Sequence, residues 1–264
     1  MKLVIEKRHK YVALSLLLLG LLYYFWGTGR PTGGFYVGGV LIVTLVGSFL
    51  VQRPNSRLIN TLVTGILPLS LTLGFVLSLI YFPNLSRIFK LLTLLVYAFI
   101  LYMVLLVNNV FLVVEERREI IPLYRVASTW SKILISTVSI PLLAGLFKLN
   151  QNALVETAVS GLSAFLFYLY LLWSLKYNHE VKKYRAGEAI GILALCIFFV
   201  MSATLAVSFF PTETFLRALY VSSVMIFGLS YVEGHLKNTI NRRLITEHLL
   251  ISVVFLLLLL VFNP

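Results

Sequence analysis

The chain contains no aspartate: all ten acidic residues among its 264 are Glu, against 22 Lys plus Arg. That absence excludes Asp-rich prenyltransferase motifs, the Asp set of the CDP-alcohol transferases and DxD sugar-nucleotide sites. The single cysteine, Cys196, excludes a disulfide framework and any CxxC metal or redox motif, and reads as a small buried apolar residue. Walker A, Gly-rich dinucleotide, GxSxG and HExxH patterns are also missing. Ile120 stands where the arginine of an EExxxR intramembrane prenyl-protease pattern would fall. An enzyme would have to work through Glu, His or Ser alone, and the balance leans against one. No pattern calls for a cofactor or a metal. Charge of either sign is scarce, 12% of residues against 59% hydrophobic, where soluble domains carry about a quarter charged residues. The chain therefore reads as an all-α polytopic membrane protein.

A hydrocarbon core about 30 Å thick takes roughly 20 apolar residues of helix. By that measure there are nine candidate spans, at 11–26, 35–51, 59–82, 88–114, 133–147, 153–175, 189–210, 215–232 and 249–262. The loops between them are short, so one transmembrane helical domain is expected to fill residues 1–264. With the N-terminus inside, 17 of the 22 basic residues fall in cytoplasmic segments and five, Arg30, Arg87, Lys90, Lys148 and Arg217, fall outside. This positive-inside bias predicts N-in and C-out. Eight of the ten Glu share the basic side, so the net charge of +12 is an orientation signal with anionic headgroups as neighbours, not a nucleic-acid footprint. The basic run Lys7-Arg8-His9-Lys10 imitates the start of a signal peptide, but no A-x-A-like cleavage site follows and a retained anchor is expected.

Two spans carry an internal proline, Pro68 in the third and Pro141 in the fifth. Each frees a backbone carbonyl and kinks its helix, a device that transporters use to frame a site and that bundles also tolerate for packing alone. In the second span Gly34 and Gly38 form a GxxxG spacing, with Gly39 and Gly47 beyond, and close packing inside the bundle is the expected use.

Polar residues within spans mark sites by default because they are costly there. The candidate pocket set is Asn108 and Asn109 near the cytoplasmic end of the fourth span, Glu115 and Glu116 seven residues later on the same faces, and Glu156 at the outer start of the sixth. Interhelical hydrogen bonding is the competing use of each. His179, Glu180, Glu233, His235, Glu247 and His248 gather at cytoplasmic helix ends, where convergence would make a metal or acid–base site. The most distinctive stretch runs from Glu115 through Pro122 to Trp130. Pro122 suits a helix start, and Leu123, Val126, Trp130 and Ile133 recur at helical spacing. An amphipathic lead into the fifth span follows, with Arg117, Arg118, Arg125 and Trp130 placed to meet lipid headgroups or a membrane-protein partner.

Residues 109–130, with the Glu-Glu-Arg-Arg-Glu run and Pro122-Leu123-Tyr124-Arg125, together with residues 233–250, resemble an uncharacterised family of small bacterial polytopic membrane proteins. The resemblance implies a bacterial inner membrane, no known activity and no functional residues. Three functions fit these readings. The first is a non-enzymatic bundle acting as scaffold, assembly subunit or lipid-interacting protein. The second is a permease for a small or lipidic solute, using the kinked third and fifth spans, and the third a lipid-modifying enzyme at the cytoplasmic interface.

Overall fold

A computed structural model of the protein describes residues 7–27, 34–52, 58–81, 86–117, 119, 121–149, 152–176, 178, 181, 186–210 and 212–262. Among these residues every regular element is a helix: α1 Lys7–Gly27, α2 Gly34–Gln52, α3 Leu58–Tyr81, α4 Arg87–Arg117, α5 Leu123–Lys148, α6 Ala153–Leu175, α7 Ala186–Ser208, α8 Thr214–Lys237 and α9 Arg242–Val261. Eight are long and apolar enough to cross a membrane; α1, which opens on Lys7, Arg8 and Lys10, is the exception. The protein is a multi-pass helical bundle. Its contacts fall into two compact units that divide within α5, residues 1–138 and 139–264.

In the first unit α1 packs on α4 and α2, and α3 packs on α2 and α4. Lipid gives no hydrophobic drive for helices to associate, so packing and interhelical hydrogen bonds must hold them together. A buried stripe on α1, Tyr11, Leu14, Leu18 and Leu22, follows the three-and-four spacing of one helix face. Gly47 of α2 lets that stripe approach: a Cβ there would collide with the Leu14 side chain. Gly34, Gly38 and Gly39 face open space instead. Among the described residues the GxxxG stripe is thus not a packing face, contrary to the expectation from its spacing, and α2 turns its later residues, Val40, Thr44, Ser48 and Gln52, inward.

Polar bonds supply the rest. Pro68 has no N–H, so the Thr64 carbonyl one turn earlier loses its helical donor. Asn108, fully buried on α4, donates its side-chain Nδ2 to that oxygen at 2.8 Å. One turn beyond the proline, the Thr72 hydroxyl donates to the Pro68 carbonyl and lies 3.0 Å from the Tyr97 hydroxyl of α4. Thr44 of α2 donates to the Val40 carbonyl, its oxygen 3.3 Å from that of Thr72. Three helices are thereby joined by two buried polar rungs, and the kink at Pro68 is closed by its neighbour.

In the second unit α6 packs on α7 and α8, α7 on α8, and α8 on α9. Gly228 of α8 is the close-approach point. A Cβ there would strike the Tyr168 hydroxyl of α6 and come within 3.3 Å of Cys196 on α7. Tyr168 donates to the Met225 carbonyl at 3.3 Å, and the Cys196 thiol lies 3.8 Å from the Gly228 carbonyl. Cys196 is buried and unpaired with another cysteine, as its isolation predicts. α8 ends on Asn238 in the left-handed conformation, and Asn241 starts α9 by accepting from the Leu244 amide. Pro141 lies inside α5, after a turn in which Ser136 and Thr137 bond back to the Lys132 and Ile133 carbonyls, a pattern that bends helices.

The Asn108 rung has a measurable signature. Asn108→Leu is expected to cost about 1–2 kcal/mol of unfolding free energy in bilayer or detergent by leaving the Thr64 carbonyl bare. In a Pro68→Ala background residue 68 regains an N–H for Thr64, and the same substitution should cost less than half as much. A double-mutant cycle returning equal costs would show that the two residues are not coupled.

Candidate functional site

One cavity of about 600 Å³ lies in the first unit between α1, α4 and the opening turns of α5. α1 contributes Lys7, Arg8 and Tyr11. These residues are three and four apart and share a face, with Tyr11 about 6 Å farther along the axis than Lys7. α4 contributes a stripe from Tyr102 and Met103 through Leu106 and Val107 to Asn109 and Val110, about 12 Å of helix. α5 contributes Leu123, Val126, Ala127 and Trp130; Leu123, Val126 and Trp130 belong to the helically spaced set that predicts an amphipathic lead, whereas Ile133 of that set lies outside the cavity. Pro122 stands just before that helix. Tyr124, beside the cavity-lining face of the lead, is buried with its ring edge-on to Phe111 of α4 at 5.8 Å, which fixes the lead against α4.

The wall is amphipathic along its length. Lys7 and Arg8 stand at the end where α1 begins, with Asn109 toward the same end of α4, and among the described residues no acidic side chain lines the cavity. Beyond them the surface is apolar and aromatic. Leu123 and Val126 remain 60% and 53% exposed, so that side is open. The Tyr11 hydroxyl is buried without a hydrogen-bond partner among the described residues. A buried orphan donor of this kind calls for a reason, since such groups are otherwise nearly always satisfied.

No protein-family model matches the chain, and no curated protein or solved structure matches it either. Residue roles therefore rest on geometry.

Of the residues singled out from the sequence, Asn109 and Trp130 meet in this cavity. Asn108, one residue away and so turned about 100° around the helix, is spent on Thr64. Glu115 is half-buried near the end of α4, where Glu116 and Arg117 are exposed; Arg125 is exposed on α5; none of the four lines the cavity. Arg118 lies outside the described residues, as do His179 and Glu180. Glu156 belongs to the second unit, buried in the first turn of α6, with Arg217 of α8 acting on it electrostatically. Arg217 also donates to the Phe210 carbonyl at 2.6 Å. Lys7 and Arg8 read from the sequence as part of a basic targeting run and not as site residues, although the buried stripe that Tyr11 opens runs back one turn onto both cations.

The polar residues at the ends of α7, α8 and α9 pair off separately. His235 meets Glu188 of α7 at 2.9 Å and Glu233 meets Lys237 at 2.9 Å. Among the described residues no three His, Cys or Glu side chains could share a metal. His248 Nδ1 lies 3.0 Å from the Leu244 carbonyl, and its Nε2 lies 2.8 Å from the Ser230 hydroxyl. A carbonyl only accepts, so in the neutral ring Nδ1 carries the proton and Nε2 accepts from Ser230. This has the polarity of a serine nucleophile with its base. Ser230 nevertheless sits inside α8, where the following amides are committed to the helix and cannot hold an oxyanion. The pair is an interhelical bond between α8 and α9. A fluorophosphonate probe is expected to leave Ser230 unlabelled, while Ser230→Ala should lower stability by about 1 kcal/mol. Stoichiometric labelling would instead make the pair a catalytic dyad.

Proposed function

We propose that the protein is a non-enzymatic membrane protein that binds lipid, taking an amphiphile into the cavity between α1, α4 and α5. The observation that carries this reading is the order of the wall: cations and an amide at the helix ends, aromatic rings and aliphatic side chains beyond, and an open flank at Leu123 and Val126. The same order runs from headgroup to chain in a membrane lipid. Aromatic side chains such as Tyr102 and Trp130 favour that boundary because one edge stays polar while the ring is buried.

The lysine and arginine distribution supports placing this end of the first unit in the cytoplasm, and the resemblance noted in the sequence supports a bacterial inner membrane. The transport reading draws less support from the kink in α3, since the carbonyl that Pro68 frees accepts from Asn108. The enzymatic reading is weakened by the separate pairing of His235, Glu233 and His248.

Filling the cavity tests the proposal. Native mass spectrometry of the purified protein is expected to show a retained lipid in the wild type and at least a fivefold lower occupancy in Ala127→Phe, whose ring projects from the α5 wall, with melting temperatures compared to establish folding. Equal occupancy in a folded Ala127→Phe protein would place lipid elsewhere and overturn the proposal.

A further inference from the structure

We propose that the occupant is an anionic phospholipid, with its phosphate held by Lys7 and Arg8 and an acyl chain laid along the α4 and α5 stripes. This inference rests on the lipid-binding reading and adds the chemistry of the headgroup. Three observations carry it. The first is the charge of the lining: two cations one residue apart line the cavity and, among the described residues, no carboxylate does. Lys offers a compact point charge and Arg a planar fork, and both donate charge-assisted hydrogen bonds to phosphate oxygens. A zwitterionic headgroup carries its own cation beside the phosphate, and among the described residues this wall has no anion to receive it. A net negative headgroup meets no such repulsion.

The second observation is the order of groups along α1. Lys7 and Arg8 come first, Tyr11 follows one turn on with its Cα about 6 Å farther along the axis than that of Lys7, and the face then continues through Leu14, Leu18 and Leu22 without another charge. Tyr11 supplies a buried donor that has no partner among the described residues and that an ester oxygen next to the phosphodiester would satisfy. The third is the length of the apolar wall. Met103, Leu106, Val110, Leu123 and Val126 form a surface that free phosphate would leave unused. Hydrocarbon on that surface also reaches the bilayer through the exposed Leu123 and Val126 flank, so the rest of the lipid need not fit inside.

The experiment uses the full-length protein in phosphatidylcholine nanodiscs doped with phosphatidylglycerol, with retained lipids identified by native mass spectrometry after extraction. The wild type is expected to retain phosphatidylglycerol well beyond its share of the bilayer. Lys7→Gln with Arg8→Gln should lower that preference by about thirtyfold, from the attraction contributed by each juxtamembrane cation, while phosphatidylcholine is still retained. Tyr11→Phe should lower it several-fold with an unchanged melting temperature. Arg117→Gln with Arg125→Gln removes the same charge outside the cavity and should leave the preference intact.

Equal retention of both lipids by the wild type would overturn the headgroup assignment and leave lipid binding standing. An equal loss of preference in the Arg117 and Arg125 pair would overturn it too, by making the effect one of general charge. Displacement of phosphatidylglycerol by millimolar inorganic phosphate would assign the cations to a free anion instead. No retained lipid of either kind would overturn the lipid-binding reading itself.

Discussion

A backbone carbonyl freed inside hydrocarbon has no water to turn to, and that constraint organises the first unit. Pro68 frees the Thr64 oxygen, and Asn108 takes it. The bond fixes more than the contact between α3 and α4. Tyr97, Leu101, Val104, Asn108 and Phe111 alternate by four and three residues and are all buried, so Asn108 and Tyr97 between them set the rotation of α4 about its own axis. Once that face is turned to α3, the stripe carrying Met103, Leu106, Asn109 and Val110 is left to look toward α1 and the start of α5. The kink at Pro68 is thus tied to the helix that carries a cavity wall.

The second unit meets the same constraint by different means. Its close contacts are made by small residues, with Gly228 admitting the Tyr168 hydroxyl and Gly161 the Met201 side chain, which a Cβ there would strike. Its polar side chains join pairs of helices: Ser230 to His248 and Ser223 to Ser252 tie α8 to α9, and Glu188 to His235 ties α7 to α8. The last is solvent-facing and contributes little to stability on its own. Charge is spent at helix ends, and no set of it converges among the described residues.

Helix number and order were legible because long apolar runs have no other stable form in this composition. The sixth span has the same bounds in sequence and structure, Ala153–Leu175. The ninth begins seven residues earlier than its apolar run, at Arg242, because the Asn241 side chain caps a helix whose first turns are polar, which hydropathy does not register. The amphipathic lead of α5 was legible from spacing. The fate of adjacent asparagines was not, since identical side chains one residue apart face different neighbours and only packing decides which one is sealed. GxxxG in α2 misled for the converse reason: small residues permit close approach without requiring it. Lys7 and Arg8 looked like orientation signals alone, because their role depends on α4 and α5 converging on the same end of α1.

Orientation signal and binding group need not be separate. Cations that stand at the lipid phosphates to fix topology are already in place to hold one of them, provided the neighbouring helices leave a trough for its chain. The most direct test is a cryo-EM reconstruction of the protein in nanodiscs containing phosphatidylglycerol. The account predicts a phosphate-sized density within about 3 Å of the Lys7 ammonium and the Arg8 guanidinium, continuous with chain density along Leu106 and Val126. A cavity holding only water, or a chain with no phosphate at the two cations, would contradict it.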